Sequence, residues 1–305
     1  MRGSGLLLLC VAAVLFSLWA NGSAFAAEAE LVHRYKVGDF EVIQLSEGES
    51  DRDPSLFVGA TPELVEKYVP TGTYVTATNT FLIRTPDRLV LVDTGYGREL
   101  FKNLKAVGVK PEQIDTVLLT HMHGDHIGGL LRDGKPAFPK AAVRLARQEL
   151  EYWTSEEIMK ASPPDRQDRF KSSIEVTKSY GDAVQTFEPG ALGSEIPELL
   201  PGIRPIAAFG HTPGHTLFMV ESGGERLLIW GDLTHAMAIQ MPAPEVAMTY
   251  DSDPQMAVAS RLAVLKYVAE NKIPIAGMHV PLPALGTVTT AADGVGYTFT
   301  PTAKR

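Results

Sequence analysis

The segment "THMHGDHIGGL" (residues 120–130) places three histidines and an aspartate within six consecutive positions, although the whole chain of 305 residues contains only 8 histidines. His121 and His123 follow the apolar run "DTVLLT" (115–120), which is typical of a buried strand. In an extended segment, residues two apart project to the same side, so both imidazoles can face one point; on a helix they would not meet. A chance cluster of hydrogen-bonded histidines on a loop is the alternative. The pattern predicts half of a metal site at a strand end.

Further candidate ligands lie close by and farther along the chain. Gly124 permits a bend, so that Asp125 and His126 project from the next turn. Three later loops each add one candidate at the end of an apolar run. A single histidine or aspartate at a strand end more often has a structural role. Loops from separated strands converge at a sheet edge, however, so the three candidates together predict one site. These candidates are His211 in "FGHTPGHT" (209–216), Asp232 in "LLIWGDL" (227–233) and His279 in "IAGMHVPLP" (275–283).

The N-terminal residues differ in character from the rest of the chain. Arg2 precedes an apolar run over residues 6–20 and the small-residue motif "AFA" (24–26). This pattern predicts a signal peptide over residues 1–26, and a secreted or periplasmic protein without a stable membrane anchor after cleavage. The apolar run is shorter than a spanning helix requires, which disfavours the alternative of an uncleaved anchor. Cleavage would remove Cys10, the only cysteine, so disulfides are not expected.

The remaining residues, 27–305, are expected to form a single domain. A hydrophobic content of 45% and a charged content of 21% are typical of globular proteins. The net charge of −8, without basic clusters, argues against nucleic acid as a partner.

Strands and helices alternate along this part of the chain. Apolar and β-branched residues predict strands over 40–46, 79–85, 88–94 and 115–120. Helices are predicted over 98–107, 147–160 and from Asp253, as an N-cap, toward Glu270. "NTFLIRTPDRLVLVDTG" (79–95) and "HTLFMVESGGERLLIWGDL" (215–233) share one layout, a hairpin followed by an aspartate. We therefore expect an α/β protein with two sheets covered by helices on their outer faces.

The ligand pattern resembles that of the metallo-β-lactamase-fold hydrolases, which carry H-x-H-x-D-H followed by a histidine, an aspartate and a histidine. The resemblance implies an αββα sandwich, with two mixed sheets face to face, helices outside and two metals at one edge. It assigns His121, His123 and His211 to one metal, Asp125, His126 and His279 to the other, and Asp232 to both.

Within that family, the chain is most similar to the branch that contains methyl parathion hydrolase and secreted lactonases. The shared segments are "GDLTHAMAIQ" (231–240), "DSD" (251–253) and "HVPLPALG" (279–286). This resemblance implies a small-molecule lactone, ester or phosphotriester substrate, with acyl-homoserine lactones among the candidates, and a homodimer. Residues 31–74 are the expected dimer interface. In the β-lactamases of this fold the position of Asp232 is typically not aspartate, which disfavours β-lactam hydrolysis.

The donor set predicts the chemistry. Histidine nitrogens and carboxylate oxygens suit zinc, and also manganese, cobalt or iron. Two such metals can share a hydroxide that attacks a carbonyl carbon or phosphorus, and Asp125 could pass the released proton to the leaving group. Asp125 and Asp232 are therefore the predicted catalytic carboxylates. The leading hypothesis is a dinuclear hydrolase that opens lactones and also cleaves organophosphate triesters. The alternatives are a dedicated organophosphate hydrolase and an exported metal-binding protein without activity, although structural zinc sites are usually rich in cysteine.

Residues around the ligands are expected to support them. Asp93 could orient an imidazole through its second nitrogen, and His215 could orient a ligand or a loop. His235, three residues after Asp232, is predicted to line the substrate pocket. Trp153, Phe209 and Tyr152 could form apolar pocket walls, the alternative being ordinary core packing.

Overall fold

The computed structural model describes residues 31–302, so the predicted signal peptide lies outside the described residues. Within this range, no helix is long and apolar enough to cross a membrane. The helices are α1 (Pro62–Tyr68), α2 (Leu100–Ala106), α3 (Gly124–Ile127), α4 (Arg147–Thr154), α5 (Glu156–Ala161), α6 (Pro164–Tyr180), α7 (Met237–Gln240) and α8 (Pro254–Asn271).

The strands are, in chain order, β1 (Val32–Val37), β2 (Phe40–Arg52), β3 (Phe57–Val58), β4 (Tyr74–Arg84), β5 (Leu89–Val92), β6 (Thr116–Leu118), β7 (Leu131–Arg132), β8 (Lys135–Pro136), β9 (Ala142–Ala146), β10 (Val184–Phe187), β11 (Ile203–Ala207), β12 (Thr216–Ser222), β13 (Glu225–Ile229), β14 (Ala247–Met248), β15 (Ile275–Ala276), β16 (Leu285–Thr290) and β17 (Tyr297–Pro301). A seven-stranded mixed sheet has the order β1-β2-β4-β5-β6-β9-β10, and a six-stranded mixed sheet has the order β11-β12-β13-β15-β16-β17. Two small pairs, β3–β14 and β7–β8, lie apart from them.

Side chains alternate along each strand, so one face of a sheet packs against the other sheet and the opposite face packs against helices. Successive residues of a strand point to opposite faces, so an all-apolar strand is buried on both sides. In β4, Ile83 packs in the core shared with Phe218 of the second sheet. Its neighbour Leu82 packs instead with Leu104 of α2 and Phe170 of α6. The predicted metallo-β-lactamase fold, two mixed sheets flanked by helices, is confirmed.

The two hairpins of similar sequence lie in different sheets, as predicted. β4 and β5 pair antiparallel in the first sheet, with Phe81 opposite Val92. β12 and β13 pair antiparallel in the second, with Phe218 opposite Ile229. Each hairpin therefore delivers an aspartate just past its last strand.

Several element boundaries differ from the prediction, and β4 begins at Tyr74 where residue 79 was expected. The helix expected over residues 147–160 is two helices, because Ser155 has extended backbone angles and its side chain accepts the N–H of Ile158 as the N-cap of α5. The helix expected from Arg98 begins at Leu100. β2 continues past Ser46 to Arg52, with a bulge between Ser46 and Glu49. By contrast, α8 begins as predicted, since Asp253 accepts the N–H of Met256.

Candidate metal centre

The predicted ligands come from four segments that leave strand ends. His121 follows β6, His123 is the N-cap of α3, and Asp125 and His126 lie in its single turn. The loops after β11, β13 and β15 supply the others. Their ligand atoms lie within 4.8 Å of one another in groups, which are His121–His123–His211–Asp232, Asp125–His126–His279 and Asp232–His235–His279.

The carboxylate of Asp232 lies between the first two groups. Its Oδ2 is 3.3 Å from His211 Nε2 in one group and 3.1 Å from His279 Nε2 in the other. Its Oδ1 is 3.1 Å from His126 Nε2. One carboxylate thus reaches donor atoms of both groups.

The Nδ1 atoms that face away from the centre make hydrogen bonds to carboxylate or carbonyl oxygens. His126 Nδ1 lies 2.7 Å from Asp93 Oδ2, and His211 Nδ1 lies 2.8 Å from Asp251 Oδ1. His279 Nδ1 donates to the carbonyl oxygen of Ala77 at 2.7 Å. Because Nδ1 donates these bonds, the Nε2 lone pairs of the neutral rings point inward, the arrangement that metal-binding histidines usually have.

Several polar atoms at this centre cannot satisfy one another. His211 Nε2 lies 3.2 Å from His121 Nε2 and 3.0 Å from His123 Nδ1, and a single proton cannot serve three ring nitrogens. Buried His126 Nε2 and Asp232 Oδ1 lie 3.1 Å apart without the geometry of a hydrogen bond, and neither has another partner among the described residues. Buried polar atoms without partners are costly, and a cation would satisfy them together.

Charge at the centre favours cations as well. Burial opposes the charged form of His126, but the carboxylates of Asp232 and Asp93 raise its pKa well above the ordinary value. Burial likewise opposes charge on His211, yet Asp232 and Asp251 raise its pKa to about 9. With nitrogen and carboxylate donors converging, the residues present fit divalent metal ions.

Asp93 occupies an unusual backbone conformation directly after β5. Its φ of 57° lies in the left-handed region, which is uncommon for a residue other than glycine. The carboxylate is fully buried and accepts hydrogen bonds from the N–H of Thr120 at 2.8 Å and from the Thr120 hydroxyl at 2.6 Å. Asp93 therefore ties the end of β6 to His126.

His215 holds the backbone of Asp232 and is not in any of the ligand groups. Its Nδ1 donates to the carbonyl oxygen of Ala208 at 2.9 Å, and its Nε2 accepts the N–H of Asp232 at 2.9 Å. The preceding Gly231 has a φ of +54°, and a Cβ there would lie 2.5 Å from His215 Nε2. Glycine at this position allows the contact.

We expect His215→Ala to lower the free energy of unfolding by about 1–3 kcal/mol, since two buried backbone groups lose their partners. Burial, with the charge of His211, lowers the pKa of His215 to about 3. The unfolded chain then binds a proton that the folded chain does not, so wild-type stability falls as the pH falls from about 6.5 toward about 3. Urea unfolding of metal-free protein at several pH values measures both effects. An unchanged pH dependence in the variant would contradict the assignment.

The centre opens into a cleft of about 350 Å³. His235 lines this cleft, with Nε2 2.9 Å from Asp232 Oδ2. Trp153 and Phe209 are not among its lining residues. Trp153 is only 3% exposed and packs on Phe170, with ring centroids 4.7 Å apart. The lining residues are Arg52, Leu56, Thr76, Ala77, Thr78, Tyr96, His123, Gly124, Asp125, Arg169, Asp232, His235, Tyr250 and His279.

Two buried carboxylates that support the centre were not predicted. Asp251, behind His211, stands in the "DSD" segment, which the resemblance singled out without giving it a role. Glu149, in α4, accepts the N–H groups of Met122 and Gly214 at 2.8 Å each and the indole N–H of Trp153 at 2.7 Å. It joins the loop of His121 and His123 to the loop of His211. A charged residue in an amphipathic helix carries no sequence signal for such a role.

Comparison with known proteins identifies the class of fold and site. The family profile described as "Metallo-beta-lactamase superfamily" matches residues 73–271. The chain therefore belongs to the metallo-β-lactamase superfamily.

Solved structures extend the likeness over nearly the whole described chain. The chain is similar to AbOPH, a hydrolase of the β-lactamase superfamily, at 30% identity and a TM-score of 0.79, covering 90% of this chain and 98% of that one. It is also similar to AidC, a dizinc quorum-quenching lactonase in complex with the product N-hexanoyl-L-homoserine, at 26% identity and a TM-score of 0.80, covering 90% and 99%.

Matches to curated relatives are local. The lactamase-like protein adaB of Aspergillus niger is 47% identical over 58 residues, 17% of either chain. The exodeoxyribonuclease WalJ of Streptococcus pneumoniae is 40% identical over 53 residues, 17% of this chain and 20% of that protein. These alignments span a fifth or less of the relatives' length.

Proposed function

We propose that this protein is a dinuclear metal-dependent hydrolase that opens lactones of the acyl-homoserine type, with organophosphate triester cleavage as a secondary activity. The observation that carries the proposal is the place of Asp232, whose carboxylate reaches inward-facing imidazoles of two separate ligand groups. The likeness to a dizinc lactonase over 90% of the chain supports the lactone as substrate.

The two cations, for which zinc is our first choice before manganese, cobalt and iron, would supply Lewis acidity and water of lowered pKa at neutral pH. One would be held by His121, His123 and His211, the other by Asp125, His126 and His279, and Asp232 would contact both.

Asp125 is the carboxylate best placed to move a proton. Its side chain is 21% exposed and lines the cleft, whereas Asp232 is almost fully buried. Its Oδ2 lies 3.4 Å from His279 Nε2, so one carboxylate oxygen contacts the centre while the group remains accessible to substrate. We propose that Asp125 takes the proton released on attack and delivers it to the leaving oxygen.

The test is kcat/KM of the purified, zinc-loaded protein on a long-chain acyl-homoserine lactone and on methyl paraoxon, side by side. We expect much faster lactone opening. Much faster triester cleavage would instead make the protein a dedicated organophosphate hydrolase. Neither reaction above the rate of the chelator-treated protein would contradict both substrate proposals.

We further propose that residues 1–26 are removed on export, that residues 27–305 form one domain, and that this domain dimerises through residues 31–74. Exposure of Val58, at 37%, supports an interface there, and Val75, at 43%, directly follows this segment. The mass of the protein recovered from the periplasm and the medium locates the cleavage site, and light scattering gives the oligomeric state. A monomer at micromolar concentration would contradict the dimer.

A further inference from the structure

Two arginines line the cleft without a partner of opposite charge. Arg52 and Arg169 are both exposed and both form part of the cleft wall. Within residues 31–302 neither guanidinium makes a salt bridge or a hydrogen bond. Arg204, by contrast, is paired with Glu198 and Glu221, each at 2.8 Å. The guanidiniums in the cleft are therefore free to bind a ligand.

The two arginines belong to different walls. Arg52 lies at the end of β2, opposite Tyr74 of β4, and the same strand carries Ala77, whose carbonyl oxygen holds His279. Arg52 therefore comes from the wall formed by β2 and β4, which also holds His279.

Arg169 lies in α6, on the His123 side. Helix α6 packs against α3, and the Arg169 side chain lines the cleft together with His123 and Asp125. A ligand that extends from the centre into the cleft therefore lies between two positively charged side chains, one on each wall.

The charges of the cleft are unbalanced once its acidic residues are accounted for. Among residues 31–302, the carboxylates that line the cleft are Asp125 and Asp232, and both belong to the proposed metal centre. Their charge is then taken up by cations, so the two guanidiniums have no counter-charge in the cleft. A neutral substrate would leave them unpaired, whereas a carboxylate matches the planar fork of arginine and can be bound through two parallel hydrogen bonds.

We propose that, besides neutral lactones, the cleft accepts and binds more tightly esters or lactones that carry a second, free carboxylate away from the bond that is cleaved, and that Arg52 and Arg169 bind this carboxylate. The inference rests on the proposed hydrolase function and adds a charged substrate class to it. Hydrolysis consumes one water and yields an acid and an alcohol, and the arginines position the substrate without forming or breaking a bond.

The test compares two esters with the same leaving group, 4-nitrophenyl hydrogen glutarate, which carries the free carboxylate, and its neutral methyl ester. We expect the wild type to prefer the charged ester. Each of Arg52→Ala and Arg169→Ala should lower kcat/KM for the charged ester roughly tenfold, mainly through KM, and should leave the neutral ester nearly unchanged. Arg→Lys variants should retain part of the preference, and high salt should reduce it because both side chains are exposed.

The matched control is Arg226→Ala, which removes an exposed charge outside the cleft lining. It should leave kcat/KM for both esters unchanged. An equal loss on both esters in the double alanine variant, or a wild type that prefers the neutral ester, would overturn the proposal. Failure of the hydrolase function itself would show as no turnover of either ester. In that case, calorimetry measures the binding of glutarate to the wild type and to the double alanine variant. Weaker binding by the double variant supports the carboxylate site, and equal binding overturns it.

Discussion

Replacing Asp232 by alanine should lower kcat/KM for the best lactone or ester substrate by at least about a thousandfold. The carboxylate lies within 3.5 Å of inward-facing nitrogens of both ligand groups, and its pKa is held well below the ordinary value by the surrounding histidines despite its burial. Without it, the two groups lose the carboxylate that reaches both of them, and five imidazoles lose their counter-charge. Steady-state kinetics with zinc-loaded variant and wild type measures the effect.

Two further variants make this result specific. Asp232→Asn keeps the shape but not the charge, and it should lose most of the activity as well. Asp87→Ala, in the exposed turn between β4 and β5, should behave as the wild type. Circular dichroism must show that the Asp232 variants are folded. Unchanged turnover in folded Asp232→Ala would contradict a mechanism that uses both ligand groups.

Replacing Glu149 by alanine should lower the free energy of unfolding by about 3–5 kcal/mol. Its carboxylate has no exposure to solvent and accepts three N–H groups, so the variant leaves buried donors on Met122, Gly214 and Trp153 without an acceptor. The effect is on folding and does not require metal, so urea unfolding of metal-free protein is the appropriate measurement.

Glu149→Gln is the control for this prediction. The amide keeps one acceptor oxygen but turns the other into a donor that faces an N–H group, so we expect a smaller loss of about 1–2 kcal/mol. A loss below about 0.5 kcal/mol for Glu149→Ala would show that the two ligand loops do not depend on this carboxylate.

The fold could be predicted because its strands correspond to short apolar runs that can be recognised from neighbouring residues alone. Apolar runs such as residues 79–85 and 88–94 are buried on both faces, and this leaves a signal that does not depend on distant contacts. The break at Ser155 was missed because a single capping hydroxyl in a helical pattern is ambiguous until the structure shows which N–H it accepts. The length of β2 beyond Ser46 depends on pairing with β4, which the sequence does not show.

The candidate ligands could be found because their spacing follows the backbone. His121 and His123 alternate on an extended segment, and the structure brings both of them to His211, which is distant in sequence. Asp251 and Glu149 could not be assigned in this way, because each acts through hydrogen bonds to residues far along the chain. Likewise, the sequence could not show that Trp153 packs in the core and does not line the cleft, because this depends on its contact with Phe170 of another helix.

The proposed mechanism requires that Asp232 joins two metal sites in one centre. The most direct measurement is the metal content of the purified, zinc-loaded and desalted protein by mass spectrometry, in parallel with its hydrolytic rate. We expect two zinc ions per chain and a rate that rises to its full value only with the second. A single bound ion with full activity, or no bound metal, would contradict this mechanism.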